Sequence, residues 1–238
     1  MQTGTAITFV LVHGAWHGGW AWRRVADLLR ARGHIVFTPT LTGLGERAHL
    51  LHPGIDASLH IADVLSVIKY ERLDNIVLVG HSYGGCVISG IVEAMPGTIR
   101  SIVFLDAFIP DNGDSTLDLV QPAVQEVIRA ALARGEMTVP VRDAAAFKVN
   151  EKDRAWVDAL ATPQPICTMT EKLTLTGARD HIPKKSYIRA SGYPNVSFEK
   201  AYARAKADPT WRTYEVPCGH DVMIDAPDRL TEILLEVA

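Results

Sequence analysis

The chain has little of what marks several classes of protein. Its 238 residues include only three cysteines, Cys86, Cys167 and Cys218, which are too few and too widely spaced for a disulfide framework or a CxxC pair. We therefore predict reduced thiols and a cytoplasmic location. The 24 basic and 27 acidic side chains give a net charge of −3. No basic excess is available for a phosphate backbone, so a nucleic-acid partner is not expected.

Long apolar stretches are also missing. The longest runs, such as residues 76–79 and 102–105, are far shorter than the roughly 18 residues that span a bilayer. The first residues lack the charged start, long apolar stretch and small-residue cleavage site of a signal peptide. Neither a membrane-spanning segment nor a membrane partner is therefore expected.

Two kinds of segment alternate along the first hundred residues. Four short runs are rich in β-branched residues: 7–12, 35–38, 76–79 and 102–105. Between them, residues 20–31 and 58–70 place apolar side chains at helical spacing, with Ser58 as the predicted N-cap of the second helix. Near-continuous apolar strands are typical of parallel sheets covered on both faces. The pattern predicts an α/β protein with a mostly parallel, doubly wound sheet.

The alternation stops after Pro110. Residues 111–176 contain few strand signals, and their apolar residues recur at helical spacing between prolines. We interpret this segment as a mostly helical cap that lies over the sheet. Residues 1–110 and 177–238 would then form the core domain.

Strand and helix signals return in the last third of the chain. The predicted elements are strands at 187–190 and 212–216, a helix at 198–207 and a closing helix that begins near Pro227. Asp225 is the candidate N-cap of that last helix.

The most informative segment is Gly80-His-Ser82-Tyr-Gly84, which has the pattern G-x-S-x-G. It follows a predicted strand and precedes a helical pattern, so the serine lies on a tight, strained turn that projects its hydroxyl from the sheet. The N-terminus of the following helix favours developing negative charge. An ordinary strand–helix turn is the alternative, but the flanking elements favour Ser82 as a nucleophile.

A serine nucleophile needs a general base. Among nine histidines, His220 follows the last predicted strand and precedes the last helix, which places it beyond the carboxyl ends of the strands. The oxyanion donors come from a second segment, His13-Gly14-Ala15, at the end of the first strand. A bend at the glycine directs the next amide into the site. We therefore predict the backbone N–H groups of Ala15 and Tyr83 as the two donors, with His13 bracing the loop.

These segments together resemble the α/β-hydrolase superfamily, and within it the branch of small esterases, plant hydroxynitrile lyases and salicylate-ester hydrolases. The shared sequence is LVHGAWHGGWAW at residues 11–22, GHSYGG at 80–85 and GHD at 219–221. The resemblance covers nearly the whole chain. It implies the α/β-hydrolase fold with a helical cap inserted after the sixth strand, and it implies the same roles for the serine, histidine and amides assigned above.

The triad acid is where this sequence departs from its relatives. Most of them carry an aspartate just after the strand predicted here at 187–190, where this chain offers Asn195 but no nearby carboxylate. Asp106 ends a predicted strand, one helix and one strand after Ser82, and some α/β-hydrolases resemble this arrangement. We predict Asp106 as the acid, with Asp180 as the alternative. A structural carboxylate at the base of the cap is the other reading of Asp106.

The predicted reaction is hydrolysis of small carboxylic esters through an acyl-enzyme, without metal or organic cofactor. Lactones and carbamates share the same carbonyl chemistry and stay open. In the resembling hydroxynitrile lyases a lysine follows the catalytic histidine and a threonine follows the first-strand histidine. Here Asp221 and Gly14 occupy those positions, and a negative charge would oppose departing cyanide. A non-catalytic ligand receptor is the remaining alternative, which the apparently intact set of catalytic groups disfavours.

The substrate pocket is predicted to be apolar and partly aromatic. The candidate lining residues are Trp16, Phe108, Phe147, Trp156 and Met169. Ordinary packing in the core of the cap is the alternative for each of them. The expected partner is a small-molecule ester, and the sequence does not predict an oligomeric state.

Overall fold

A single six-stranded parallel sheet organises the computed structural model, which describes residues 5–238. Its strands, in the spatial order β2-β1-β3-β4-β7-β8, are Ile35–Phe37, Thr8–Val12, Ile76–His81, Ile99–Leu105, Lys184–Ala190 and Trp211–Val216. Every neighbouring pair is parallel. The central strand β3 is buried along its whole length, because both faces of the sheet are covered, and its sequence is accordingly apolar throughout.

Ten α-helices accompany the strands in the described residues. In chain order, α1 to α10 are Arg23–Ala31, Ala57–Tyr70, Gly84–Ala94, Thr116–Leu119, Pro122–Ala133, Glu151–Leu160, Cys167–Thr170, Val196–Ala207, Val222–Asp225 and Pro227–Val237. Helix α1 packs against α10, α2 packs against α3, and α8 packs against β7 and β8. The predicted α/β class, with a parallel sheet and flanking helices, is confirmed.

Two predicted helix caps are wrong. Helix α2 begins two residues earlier than expected because Asp56, not Ser58, is its N-cap, accepting a hydrogen bond from the Leu59 amide at 2.8 Å. Ser58 instead binds the carboxylate of Glu171. Asp225 does not cap α10 either, because its carboxylate accepts hydrogen bonds from the Gly219 amide and from Asn150.

The inserted segment follows the fourth strand of the described chain, not the sixth. Only β1 to β4 precede it within residues 5–105. The segment contains α4 to α7, which agrees with the expected helical character. It also contains a short antiparallel pair, β5 (Thr138–Val139) with β6 (Gln164–Pro165), which was not predicted because two residues are too few to show a strand period. The boundaries of the cap at residues 111 and 176 stay a prediction.

Within residues 5–238 no helix is long and apolar enough to cross a membrane. The three cysteines are all free thiols, with Cys86 buried and the other two partly exposed.

Candidate active site

Ser82 lies on the turn between β3 and α3, with a φ of 54° in the left-handed region. Its backbone is held by three hydrogen bonds. The amide donates to the carbonyl of Leu105 at 3.2 Å, and the carbonyl accepts from the amides of Gly85 and Phe108. A Cβ at Gly80 would lie 2.5 Å from the carbonyl oxygen of Gly84. The two outer glycines of G-x-S-x-G are therefore required because backbone atoms approach them closely. The hydrogen bonds of the tight turn hold Ser82 in a conformation that a serine would otherwise avoid.

His220 is buried in the loop between β8 and α9, and its Nδ1 lies 2.6 Å from Oδ2 of Asp106. Since a carboxylate only accepts, Nδ1 carries the hydrogen and Nε2 of the neutral ring is left with its lone pair. The ring stacks on Phe198 at a centroid distance of 5.0 Å and an interplanar angle of 11°. The His220 amide donates to the carbonyl of Phe147 at 2.9 Å. The inserted segment and the sheet therefore both fix the position of this imidazole.

Asp106 lies directly after β4 and is fully buried, with a φ of 41°. Its second oxygen, Oδ1, accepts hydrogen bonds from the Arg189 guanidinium at 2.6 Å and from the Ala190 amide at 3.2 Å. The alternative acid, Asp180, is exposed in a 3₁₀ turn that precedes β7, at the opposite end of that strand. The structure therefore brings Asp106, and not Asp180, to the imidazole.

Arg189 is absent from the sequence-based prediction. Its buried guanidinium joins β7 to Asp106 and also donates to the carbonyl groups of Ala190 and Tyr193. An arginine inside the predicted strand at 187–190 was the available signal, since such a charge is almost never buried without a partner.

The predicted oxyanion amides, those of Ala15 and Tyr83, border the same cavity as Ser82 and His220. Among the described residues, neither N–H group has a hydrogen-bond acceptor within the chain. The loop after β1 passes so close to the elbow that a Cβ at Gly14 would lie 2.9 Å from the Ser82 Cβ. Both amides are thus free to donate at one place beside the serine.

His13 has the bracing role that the sequence predicts. Its Nδ1 donates to the Gly14 carbonyl at 2.8 Å, and its Nε2 accepts from the Leu41 amide at 3.0 Å. Burial lowers the pKa of His13 to about 3. The ring is therefore neutral and connects the loop after β1 to the loop that carries Leu41.

The cavity beside Ser82 has a volume of about 140 Å³. Four predicted lining residues, Trp16, Phe108, Phe147 and Met169, border it. Trp156 does not, because α6 turns this side chain toward the core helices, where it packs edge-on against Trp20 at 5.3 Å and under the guanidinium of Arg24 at 5.1 Å. The prediction for Trp156 is wrong, since helical spacing alone cannot say which neighbour a helix face meets.

The lining residues that were missed include Tyr193, Phe198 and Arg142. The first two follow β7 at its carboxyl end, where open α/β sheets collect their ligand-contacting residues, and that rule could have found them. Arg142 lies in the inserted segment, and its guanidinium lies over the Phe147 ring at 5.2 Å. No local pattern marks it.

Asp221 does not face the cavity. It is fully buried behind His220, and its Oδ2 accepts a hydrogen bond from His17 at 3.0 Å. The expectation that Asp221 would lie beside departing cyanide and oppose it is therefore wrong.

Asp221, His81 and His220 place possible metal-ligand atoms within 4.8 Å of one another, a grouping that sequence spacing did not indicate. Since Asp106 and His17 already bind two of these side chains, a metal-free reaction stays the prediction.

A parallel sheet of this order, a strained serine on the β3–α3 turn and a histidine after the last strand define a class of protein. The chain belongs to the alpha/beta hydrolase family, whose model matches residues 9–233. It is similar to the "Carbendazim hydrolyzing esterase" of Nocardioides sp. (strain SG-4G), at 41% identity over 95% of this chain and 97% of that protein.

Two further relatives place the chain in the branch that its sequence resembles. "Methylesterase 1" of Arabidopsis thaliana is 36% identical over 45% of this chain and 41% of its own length. A solved extracellular alpha/beta-hydrolase from a Paenibacillus species, described as sharing structural and functional homology with tobacco salicylic acid binding protein 2, superposes with a TM-score of 0.85. That pair is 26% identical, and the match covers 98% of this chain and 99% of that one.

Proposed function

We propose that this chain, an ester hydrolase of the α/β-hydrolase family, works through an acyl-enzyme on Ser82 with His220 as general base and Asp106 as the triad acid. The observation that carries the proposal is the 2.6 Å contact between His220 Nδ1 and Asp106 Oδ2, beside a cavity that Ser82 also borders. Such a contact fixes the tautomer that leaves Nε2 free to take a proton.

The reaction has two stages. His220 Nε2 removes the Ser82 proton while Oγ attacks the ester carbonyl carbon, and the amides of Ala15 and Tyr83 bind the resulting oxyanion. The imidazolium then protonates the departing alcohol, and the acyl group stays on Ser82. Water, deprotonated by His220, attacks the acyl carbonyl, and the proton returns to Ser82 as the acid leaves. Asp106 stabilises the imidazolium in both stages, and Arg189 holds Asp106 in place.

The walls of the cavity support a small aromatic or apolar substrate. Phe108, Phe147, Tyr193 and Phe198 border a volume of about 140 Å³, close to the roughly 150 Å³ that accommodates a benzene molecule. One aromatic ring is therefore about what this space holds, which favours a substrate with a short alcohol, such as a methyl ester. Similarity to a carbendazim hydrolyzing esterase favours carbamates as the second candidate, because carbendazim contains a methyl carbamate group.

A small panel tests the proposed function. Purified protein is assayed for methanol release from methyl benzoate and from carbendazim, for turnover of p-nitrophenyl acetate and for aldehyde release from mandelonitrile. We expect turnover of at least one ester or carbamate and none of mandelonitrile. Aldehyde release without ester cleavage would indicate a lyase, and ligand binding without any turnover would indicate a receptor. Either result would overturn the proposal.

The Phe147 side chain is expected to select substrates by size. Replacing it with alanine widens the cavity, so the ratio of kcat/KM for methyl 1-naphthoate to that for p-nitrophenyl acetate should rise about 10- to 100-fold, as one buried aromatic wall would allow. Trp156→Ala is the matched control, because Trp156 packs on Trp20 away from the cavity. It should lower the melting temperature and leave the ratio unchanged. Equal loss on all substrates in Phe147→Ala would mean that Phe147 is only core.

Arg142 is expected to favour a substrate with a hydrogen-bond acceptor distal to the ester. No carboxylate borders the cavity, and within residues 5–238 the guanidinium has no acidic partner. Arg142→Gln should lower kcat/KM for monomethyl terephthalate about 10- to 100-fold more than for methyl benzoate, since a hydrogen bond to a charged group contributes about 1.5–3 kcal/mol. Arg142→Lys, which keeps the charge, should lose less. Parallel losses on both esters would contradict this role.

A further inference from the structure

Three backbone segments carry the proposed catalytic groups Ala15, Ser82 and His220. Each segment carries one further polar side chain, and these three side chains lie together behind the site. His17 lies two residues after Ala15, His81 precedes Ser82, and Asp221 follows His220. We call His17, His81 and Asp221 the rear cluster. All three are buried, with exposed fractions of 2%, 1% and 0%. The cluster lies outside the proposed catalytic steps, and the triad does not explain why charged groups are buried there.

The hydrogen bonds of His17 determine its charge. Nδ1 lies 2.7 Å from the carbonyl oxygen of Ala15, and Nε2 lies 3.0 Å from Oδ2 of Asp221. A carbonyl oxygen and a carboxylate oxygen can only accept, so both ring nitrogens must donate, and the ring is an imidazolium. The indole of Trp20 stacks on this ring at 5.3 Å with an interplanar angle of 22°, which suits a cation.

Electrostatics agree with this geometry. Burial by itself lowers the pKa of His17, but the charge of Asp221 and the two hydrogen bonds outweigh it, so the pKa lies above its ordinary value. Burial likewise raises the pKa of Asp221, but His17 and the neighbouring histidines outweigh that effect and leave the pKa well below its ordinary value. Both pKa shifts therefore favour the ion pair that the hydrogen bonds of His17 require.

The other titratable groups around the pair stay neutral or belong to the triad. His81 donates through Nε2 to the carbonyl of His220 at 3.1 Å and lies 3.7 Å from Oδ1 of Asp221. Burial lowers the pKa of His81 well below its ordinary value, as it does that of nearby His13. The charge on Asp221 is therefore balanced by His17 and not by His81.

We propose that the His17–Asp221 ion pair is a positioning device that locks the loop bearing the Ala15 amide to the loop bearing His220. One end of His17 holds the Ala15 carbonyl, and its other end holds the residue next to His220. The proposal rests on the proposed function, because it assigns the two loops their catalytic meaning. A misplacement of catalytic groups by about 1 Å can cost about 100-fold in rate.

The test uses His17→Gln, with His49→Gln as the matched control, since His49 is exposed and bonds only within its own turn. Active sites are counted by titration with a fluorophosphonate, and kcat is expressed per titrated site. We expect His17→Gln to lower kcat per site about 10- to 100-fold, with KM changed less than about threefold, and His49→Gln to behave as wild type. An unchanged kcat per site in His17→Gln would overturn the proposal, even if the melting temperature falls.

A second measurement does not depend on a variant that folds. The ¹⁵N shifts of the His17 ring in the unaltered protein report whether both nitrogens are protonated. We expect the imidazolium pattern at the ordinary imidazole pKa of about 6.5, and its loss only as the pH rises further, through the raised pKa. A mostly neutral ring at pH 6.5 would contradict the ion pair. If the unaltered protein cleaves no ester or carbamate, the proposed function is wrong. If the unaltered protein is active and His17→Gln has normal turnover, only the positioning role of His17 is wrong.

Discussion

Ser82→Ala is expected to lower ester turnover by about 10⁶-fold while the fold stays intact. The magnitude is that of removing a serine nucleophile together with the steps that depend on it. The fold should survive because the elbow is held by the backbone of residue 82 and by its glycine neighbours, whereas the Ser82 hydroxyl borders the cavity. Alanine keeps the Cβ and removes only that hydroxyl.

The measurement is kcat on the best substrate of the panel, together with the melting temperature. Ser197→Ala is the matched control, because Ser197 borders the same cavity from the first turn of α8. It should retain turnover within about tenfold, the scale of one ordinary hydrogen bond. Normal turnover in Ser82→Ala would show that Ser82 is not the nucleophile.

The second large effect is expected from Asp106→Asn, with a fall in kcat of about 10² to 10⁴. Asparagine keeps the shape of the side chain but removes the charge that orients His220 and stabilises its protonated form. It also leaves the buried guanidinium of Arg189 without its carboxylate. Removing one partner of such a buried pair costs about 3–5 kcal/mol of stability, so a lower melting temperature should accompany the loss of activity.

Asp180→Asn is the matched control for that experiment. Asp180 is exposed and precedes β7, so its replacement should leave both kcat and stability near those of the unaltered protein. Kinetics below the melting temperature of each variant separate loss of charge from loss of fold. An inactive Asp180→Asn beside a fully active Asp106→Asn would require a different triad acid.

The parts of the site that could be predicted are those that a local sequence pattern identifies. Ser82 is identified by two glycines and by the strand and helix around them, and these elements lie where the apolar periods place them. His220 is identified by its place after the last strand. Asp106 needed one further step, since its position depends on which strand lies beside β3, and the parallel α/β rule supplied that neighbour.

The parts that could not be predicted depend on contacts between distant segments. Trp156 has the spacing of a cap residue, but only packing against Trp20 and Arg24 shows which way α6 turns. The ion pair of His17 with Asp221 joins residues 204 positions apart. No sequence motif links His17 to Asp221. Only the folded structure therefore shows that His17 balances the charge of Asp221.

The most direct test of the central claim is to find where a serine-directed fluorophosphonate binds. The protein is incubated with the reagent, its intact mass is measured, and the modified peptide is sequenced by fragmentation. We expect one adduct per chain, on Ser82, formed at a rate that Asp106→Asn lowers in parallel with kcat. An adduct on another serine, or full ester turnover in protein whose Ser82 is modified, would contradict it.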